Sequence, residues 1–460
     1  MRPPCVLARL GFRGRVRNVS TAATTYDPPV PNYLLTQLDS GTRVITEPLQ
    51  GVRSAAIGLW IGTGSRDEDE ARAGVTHFLE HLLFKGSSKY SAQDIAEIFD
   101  TFGGELNAAT ARDYTVVYGR VLDEHVETAV DVMTDMVFAP SLADLDSERE
   151  VVLEEIAMIE DSPQELVHDL ITQAVFGKHP LGRPVLGNAE VIANVSRRSV
   201  GAYHRARYTA ANVVVAAAGS VEHKPLLALV ERMEEKLRDP PARKPAARAP
   251  FIASPPPTLR FQRKDTEQYH VCLGAPGISR SDKRRFAASI LDGVLGGSAS
   301  SRLFQEIREK RGLAYSVYTY SSQYADTGQI GIYVGTREEN LAVCLEIIAE
   351  QIASIAAGEV SDEELDRAKQ NLKGRIMLSM EPTSNRMSRL GKSVITDSEL
   401  MSLDRILAEI EAVEASGVAE LAGVLLAREG LSAAAIGPRE DRLLAAVEPL
   451  CPALVAAAAA

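Results

Sequence analysis

Two histidines and a glutamate within five residues are the strongest chemical signal in this 460-residue sequence. His77 and His81 are four residues apart, and Glu80 follows the first histidine by three, so a helix would present all three on one face. Imidazole nitrogens are good ligands for Zn²⁺, and a carboxylate beside the metal can accept a proton from water. The pentapeptide at residues 77–81 therefore predicts a zinc hydrolase site.

Chance is a poor explanation for this pentapeptide. With 8 histidines and 62 acidic residues in the chain, about 0.02 such matches are expected at random. The alternative is a surface helix that happens to carry two histidines. The apolar neighbours at residues 78–84 argue against it, because they predict a helix embedded in a core, where polar side chains need partners.

Two histidines leave a zinc site short of a ligand, and residues 148–160 are the best source of a third donor. Apolar residues recur there at helical spacing, and Glu148 and Glu155 share one stripe with Val152. Glu154 lies on the neighbouring stripe. Periodicity alone does not choose between Glu154 and Glu155, and a solvated acidic helix face is the alternative for each glutamate.

The elements that would position these residues resemble those of a known family. The inverted zinc motif, followed at residues 148–156 by Glu-x-x-Val-Val-x-Glu-Glu-Ile, resembles the pitrilysin/insulinase superfamily of metallopeptidases. The chain is most similar to the branch that holds the mitochondrial processing peptidase beta subunit and its single-chain bacterial relatives. The resemblance runs from about residue 34 to residue 438 and includes residues 103–108, 180–187 and 308–315.

The resemblance implies a specific zinc site. It assigns His77, His81 and Glu155 as ligands of one Zn²⁺ per chain, Glu80 as the general base and Glu148 as a supporting acid near the metal.

Two residues of the second half are also implied to take part in catalysis. Arg308 and Tyr315 match positions that reach across the cleft toward the substrate and assist the oxyanion. Without the resemblance, Arg308 would be interpreted as a surface helix charge and Tyr315 as a strand aromatic in a core.

Peptide binding is expected at an exposed sheet edge. Gly104, Asn107 and Ala108 lie in a stretch that permits close backbone approach, so an extended peptide could add as a strand there. A tight turn before a strand is the alternative. Glu165 and Asp169 match acidic positions that the processing peptidases use to hold an arginine near the cut, and the alternative for this pair is a solvated acidic face.

Composition restricts the partners. The net charge of −12 argues against nucleic acid, which needs clustered Lys and Arg, and favours a basic peptide substrate. The four cysteines are scattered and predict neither a disulfide framework nor a thiolate metal site. No apolar run reaches the roughly 18 residues that a membrane helix needs.

The first 26 residues contain five arginines and no acidic residue, which is typical of a mitochondrial transit segment. The alternative is a basic arm on a bacterial cytoplasmic protein. Because the rest of the chain resembles the bacterial members, a cytoplasmic location is expected, with the mitochondrial matrix as the alternative.

The organisation of the chain predicts two homologous halves. Residues 238–257 contain seven prolines, a composition suited to an extended tether. Residues 55–67 and 269–281 are similar, which indicates a duplication. We therefore expect a basic arm at 1–26, a zinc peptidase domain at 27–237, a linker at 238–258, a second domain without the zinc motif at 259–450 and an Ala-rich tail at 451–460.

The predicted fold class is α+β. Each domain should contain a mainly antiparallel sheet with flanking helices, and the resemblance implies that the two domains face each other like a clam shell. Aligning the halves places Ala288, Leu291 and Asp292 opposite His77, Glu80 and His81.

Three functions are compatible with the sequence. The leading one is a zinc endopeptidase acting on extended, unfolded or presequence-like peptides. A noncatalytic structural subunit and an activating partner subunit are the alternatives. Activating partners carry an elongated Gly-rich loop, whereas the loop at residues 295–301 is short. A homodimer is therefore expected, or a heterodimer with a Gly-rich-loop subunit if the protein is mitochondrial.

Overall fold

The computed structural model describes residues 32–236, 248, 250–251, 255–452 and 454. The described residues from Tyr33 onward form one compact unit. The predicted basic arm, most of the linker and most of the Ala-rich tail lie outside the described residues. Among the described helices, none has both the length and the apolar character needed to cross a membrane.

A six-stranded sheet forms the centre of the first half. Its strands are β1 (Leu34–Gln37), β2 (Arg43–Pro48), β3 (Ser54–Ile61), β4 (Glu105–Thr110), β5 (Thr115–Leu122) and β6 (Val213–Gly219). They lie in the order β1-β2-β6-β3-β5-β4, and every pair is antiparallel except β2 with β6. The fully buried Val and Ala residues of β6 show that both sheet faces are covered.

A five-stranded sheet forms the centre of the second half. Its strands are β7 (Leu259–Arg263), β8 (Tyr269–Gly277), β9 (Ala314–Gln323), β10 (Gly328–Thr336) and β11 (Ser432–Gly437). They lie in the order β7-β11-β8-β10-β9, and only β7 and β11 are parallel. The predicted α+β fold with two domains and mainly antiparallel sheets is confirmed.

Helices flank both sheets. The first half contains α1 (Val75–Leu83), α2 (Ala92–Phe102), α3 (Val126–Phe138), α4 (Leu145–Asp161), α5 (Pro163–Phe176), α6 (Ala189–Asn194), α7 (Arg197–Arg207) and α8 (His223–Lys236). The second half contains α9 (Arg285–Leu295), α10 (Leu341–Ala356), α11 (Asp362–Ser379), α12 (Thr383–Ile395), α13 (Leu403–Glu411), α14 (Ala415–Leu425), α15 (Glu440–Val447) and a π-helical segment at Phe304–Glu309. Short 3₁₀ turns lie at Ser65–Asp67, Glu70–Arg72, Asp123–His125, Pro180–Gly182, Ala210–Asn212, Glu338–Asn340 and Arg428–Gly430.

The two halves exchange one helix each. On one face, each sheet packs against helices of its own half. On the other face, α5 of the first half covers β8 and β11, and α12 of the second half covers β3 and β6. Close approach of α12 requires Gly391, since a Cβ there would collide with the Trp60 ring. Each sheet is therefore completed by the other half of the chain.

Buried charges also connect the two sheets. Arg66 donates to Asp113 at 3.0 Å and makes a bidentate pair with Asp326, in the β9–β10 turn, at 2.9 and 3.0 Å. Arg248, from the predicted linker, donates to Asp67 at 2.8 and 2.9 Å. Because an unpaired buried charge is strongly destabilising, this network fixes the geometry with which the two sheets meet.

Candidate metal centre

The helix α1 forms where an apolar stripe of its sequence meets the core of the first sheet. Gly74 begins the helix in a left-handed conformation, with φ 97°, and a Cβ there would collide with the Leu186 carbonyl oxygen. The apolar residues of α1 are buried, namely Val75, Phe78, Leu79, Leu82 and Leu83. The helix therefore has one fixed orientation, in which His77 and His81 face Glu155 of α4.

Three side chains converge between α1 and α4. Glu155 Oε2 lies 3.6 Å from His77 Nε2 and 3.4 Å from His81 Nε2, and the two imidazole centroids are 4.6 Å apart. Within the described part of the chain, these residues are the one group of histidine, cysteine and acidic side chains close enough to hold a metal ion. Glu154, which periodicity left as an alternative, is exposed.

The donor set suits zinc. Two imidazole nitrogens and one carboxylate oxygen are a known ligand combination of catalytic zinc, which keeps a fourth position for water or substrate. The three ligand atoms lie within 4.8 Å of one another, so one ion between them could reach all three. The residues present therefore fit the metal that the sequence predicts.

Glu148 fixes the orientation of one ligand. Its buried carboxylate is 2.9 Å from His81 Nδ1, and its other oxygen is 2.7 Å from Lys85 Nζ. With Nδ1 bound to Glu148, Nε2 is the nitrogen of this ring that lies toward Glu155, at 3.4 Å. Lys85, in the turn that follows α1, was missed in the sequence interpretation, although its position four residues after His81 was a usable signal.

The second histidine ligand is held differently. His77 is 8% exposed, and its Nδ1 has no hydrogen-bond partner among the described residues. Burial, with a smaller contribution from His81, lowers the pKa of His77 to about 4. The ring is therefore neutral at physiological pH, as a metal ligand must be.

Glu80 lies on the same face of α1 and is held by the outer strand of the sheet. Thr110 Oγ1 donates to Glu80 Oε2 at 2.5 Å. Burial raises the pKa of Glu80, and the hydrogen bond from Thr110 opposes that effect. A carboxylate with a raised pKa beside a metal site is suited to accept and return a proton near neutral pH.

The predicted peptide-binding strand is an outer strand. β4 lies at the edge of the first sheet and, within the described residues, pairs only with β5. Asn107 is exposed and Ala108 is buried. Gly103 ends α2 in a left-handed conformation, and a Cβ on Gly104 would collide with Val121. The two glycines thus form the turn before β4, and among the described residues no strand pairs with the other edge of β4.

The two residues of the predicted acidic pair, Glu165 and Asp169, lie in different surroundings. Asp169 on α5 lines a 600 Å³ pocket together with Glu70, Glu160 and Arg183, and burial raises its pKa. Glu165 is exposed and does not line that pocket. A fully solvated acidic face therefore does not describe Asp169, although it does describe Glu165.

Arg308 and Tyr315 contact each other. The Arg308 guanidinium carbon lies 4.4 Å from the centre of the Tyr315 ring, a cation–π contact. Tyr315 is 75% exposed at the start of the outer strand β9, so its interpretation as a core aromatic is wrong. Among the described residues, no hydrogen bond or ring contact joins this pair to the three metal-site residues.

Known proteins are similar to this chain in both sequence and fold. A family model described as Insulinase (Peptidase family M16) matches residues 43–189, and one described as Peptidase M16 inactive domain matches residues 194–372. An uncharacterized zinc protease of Streptomyces coelicolor is 44% identical over 413 residues, which is 88% of this chain and 90% of that protein. An uncharacterized zinc protease of Bacillus subtilis is 41% identical over 85% of this chain and 95% of that protein.

Two solved structures have the same architecture. A protease from Helicobacter pylori superposes with a TM-score of 0.83 at 22% identity, covering 89% of this chain and 100% of that one. A peptidase M16 inactive domain from Pseudomonas fluorescens gives the same TM-score at 23% identity, covering 89% and 98%. At these identities the likeness concerns the fold alone.

Proposed function

Because the chain belongs to the insulinase family of peptidases, M16, we propose that it is a zinc-dependent endopeptidase for extended, unfolded or presequence-like peptides. Family membership makes the chain a metallopeptidase and confirms the resemblance to the pitrilysin/insulinase superfamily. The observation that carries the proposal is the convergence of His77, His81 and Glu155 beside Glu80.

The site residues divide the catalytic work. His77, His81 and Glu155 would hold one Zn²⁺, which when bound polarises the scissile carbonyl and makes the attacking water more acidic. Glu80 accepts the proton from that water and passes it to the leaving amine. Thr110 occupies one oxygen of Glu80 and so leaves the other oxygen available for the proton. Glu148, through its hydrogen bond to Nδ1, orients the imidazole of His81.

Substrate binding would use the edge of β4 and nearby acidic groups. An extended peptide can pair with the free edge around Asn107 and Ala108, starting near Gly104, through main-chain hydrogen bonds. Asp169 and Glu165 would attract a basic side chain near the cut. The net charge of −12 supports the same preference for basic peptides.

The second half would complete the site. Arg308 and Tyr315 provide a guanidinium and a phenol on an exposed surface, and both are suitable donors to a developing oxyanion. We propose that Arg308 and Tyr315 reach this oxyanion when the two halves close around a peptide. A noncatalytic structural or activating subunit is the alternative function, but such a subunit would not need an intact base and ligand set.

The proposed setting is a bacterial cytoplasm, with a homodimer as the working form. The similar proteins named above come from bacteria. A mitochondrial matrix protein paired with a Gly-rich-loop subunit is the alternative.

The decisive test compares Glu80→Gln with Glu154→Gln. Glu80→Gln removes the base but no ligand, so the protein should keep about one zinc per chain and lose roughly 10³-fold in kcat on a basic, extended peptide. Glu154 is adjacent to a ligand but exposed, so its variant should cleave normally. Metal analysis and peptide cleavage measure both. Wild-type protein without zinc, or a Glu80→Gln variant that still cleaves, would contradict the proposal.

A further inference from the structure

We propose that Glu68 is a positioning residue for the zinc helix: its buried carboxylate holds the N-terminus of α1 and thereby places His77 opposite Glu155. This inference rests on the proposed zinc peptidase function. Glu68 touches neither the proposed ligands nor Glu80 and acts through the backbone of the helix.

The carboxylate satisfies two backbone donors at the start of α1. Glu68 is 5% exposed, and its Oε2 accepts from Gly74 N at 2.8 Å while its Oε1 accepts from Thr76 N at 2.6 Å. The first N–H groups of a helix have no partner within the helix. Gly74, at the N-cap position, has no side chain that could supply one. A negative charge at this end is also favoured by the helix dipole.

Glu68 can affect the position of the His77 ring because, among the described residues, no hydrogen bond at Nδ1 fixes that ring. His81 is oriented by Glu148, whereas His77 Nδ1 has no hydrogen-bond partner in the described part of the chain. The position of the His77 ring therefore depends on the backbone of α1, and Thr76, which Glu68 binds, is the preceding residue. The buried apolar side chains of α1 fix the face that it packs with. At its first turn the backbone position is set further by Glu68 and by the 2.8 Å hydrogen bond between Thr76 Oγ1 and Tyr203 OH.

The same turn is tied to the second half of the molecule. Arg66, Asp67 and Glu68 are consecutive charges whose partners lie in three different parts of the chain. Arg66 binds Asp326 of the second half, Asp67 pairs with Arg248, and Glu68 binds α1. The zinc helix is thus anchored to the network that joins the two sheets.

Burial makes the Glu68 carboxylate depend on these hydrogen bonds. Burial raises the pKa of Glu68 to about 7, although the hydrogen bonds from Thr76 and Gly74 and the charge of Arg183 act to lower it. A buried carboxylate destabilises a fold unless its oxygens are satisfied. Here both oxygens are satisfied by the helix that carries the candidate zinc ligands.

The test is Glu68→Gln, which keeps the shape of the side chain but directs an NH₂ group at one helix N–H. Zinc affinity, measured by competition with a chelating dye, should fall about 10- to 100-fold, as for other groups that orient metal ligands. The kcat for an extended basic peptide should fall about tenfold with KM unchanged, and the visible spectrum of the Co²⁺-substituted protein should change.

Asp135→Asn is the matched control. Asp135 is also a buried carboxylate, at 4% exposure, and accepts hydrogen bonds at 2.9 Å from Ser88 Oγ and Lys89 N, outside the zinc helix. Its variant should lose stability without a change in zinc affinity, kcat or the Co²⁺ spectrum. Glu68→Asp, which is too short to reach both N–H groups, should show an intermediate loss of zinc affinity if Glu68→Gln does not fold.

The outcomes separate this inference from the proposed function. A Glu68→Gln or Glu68→Asp variant with wild-type zinc affinity, kcat and Co²⁺ spectrum would overturn the positioning role alone. Equal losses of zinc affinity in Glu68→Gln and Asp135→Asn would also overturn it, because both would then reflect general destabilisation. Wild-type protein that neither binds zinc nor cleaves would instead refute the peptidase proposal.

Discussion

The helix-and-edge-strand unit occurs twice in this molecule, and among the described residues only the first copy carries a candidate metal site. In the first half α1 lies between β3 and β4 in the chain, and in the second half α9 lies between β8 and β9. β4 and β9 are both outer strands of their sheets. The positions aligned with His77, Glu80 and His81 are Ala288, Leu291 and Asp292. The scaffold is therefore repeated, whereas the ligands are not.

One contact is shared by the two copies. Thr110 on β4 donates to Glu80, and Thr319 on β9 donates to Asp292, both at 2.5 Å. In each half a threonine of the outer strand thus holds a carboxylate of the helix. This architecture can therefore hold a carboxylate beside the outer strand in either half. The proposed zinc chemistry depends in addition on the imidazoles, which are found in one half.

The largest effect should come from removing a ligand in the first half. His77→Ala or Glu155→Ala should abolish zinc binding and lower peptide cleavage by about 10⁴-fold, since the metal is lost with its ligand. Asp292→Asn, at the corresponding helix of the second half, should keep zinc and activity. Measurements of metal content and kcat/KM show which half supplies the metal ligands. Zinc loss in Asp292→Asn would show that the second copy also contributes to the metal site.

The exchanged helix α12 should contribute to the stability of the first sheet. Leu390 of α12 is fully buried against the first sheet, and Leu390→Ala should lower the free energy of unfolding by about 3 kcal/mol through the cavity it leaves. Met377→Ala, at a half-exposed position on α11, should change it by less than about 0.5 kcal/mol. Urea denaturation measures both. A small effect of Leu390→Ala would mean that the first sheet does not depend on the second half.

A smaller effect is expected from the phenol that we place at the oxyanion. Tyr315→Phe removes one hydroxyl donor and should lower kcat about 10²-fold with zinc content unchanged. Tyr320→Phe is the control on the same strand, since that ring packs against His168 on the α5 side, at 5.0 Å between centroids. Equal kcat in both variants would remove the second half from the chemical step.

The smallest effect concerns substrate preference. The double variant Glu165→Gln with Asp169→Asn should raise KM about tenfold for peptides with arginine near the cut, with little change for an alanine peptide. Asp161→Asn, an exposed charge at the end of α4, serves as the control. An equal change in KM for both peptides would leave the pair without a role in recognising arginine.

Local patterns predicted the ligand-bearing helices well. The spacing of His77 and His81 predicted one helical face, and the stripe of Glu148, Val152 and Glu155 is the face of α4 that turns inward. These features depend on the helical period, which is visible in the spacing of residues along the sequence. The choice between Glu154 and Glu155 needed the family resemblance, because tertiary packing decides that Glu155 lies beside His77 and His81 while Glu154 is exposed.

Long-range features could not be predicted in this way. The exchange of α5 and α12 joins residues about 100 or more positions apart, and no local period marks it. Glu68 looks like one of several acids in an exposed loop, yet it is buried because α1 offers unpaired N–H groups. The close packing of Gly104 against Val121 is likewise not marked by any local pattern.

Helix exchange also affects how the chain is made. The last strand of the first sheet, β6, ends at Gly219, and the helix that covers its outer face begins at Thr383. At 5–20 residues per second, a ribosome needs roughly 10–30 s to synthesise that interval. Throughout this time the apolar side chains of Ile45, Trp60 and Val214 lack their native cover. The nascent first half should therefore be a substrate for chaperones until the C-terminal part of the chain has emerged.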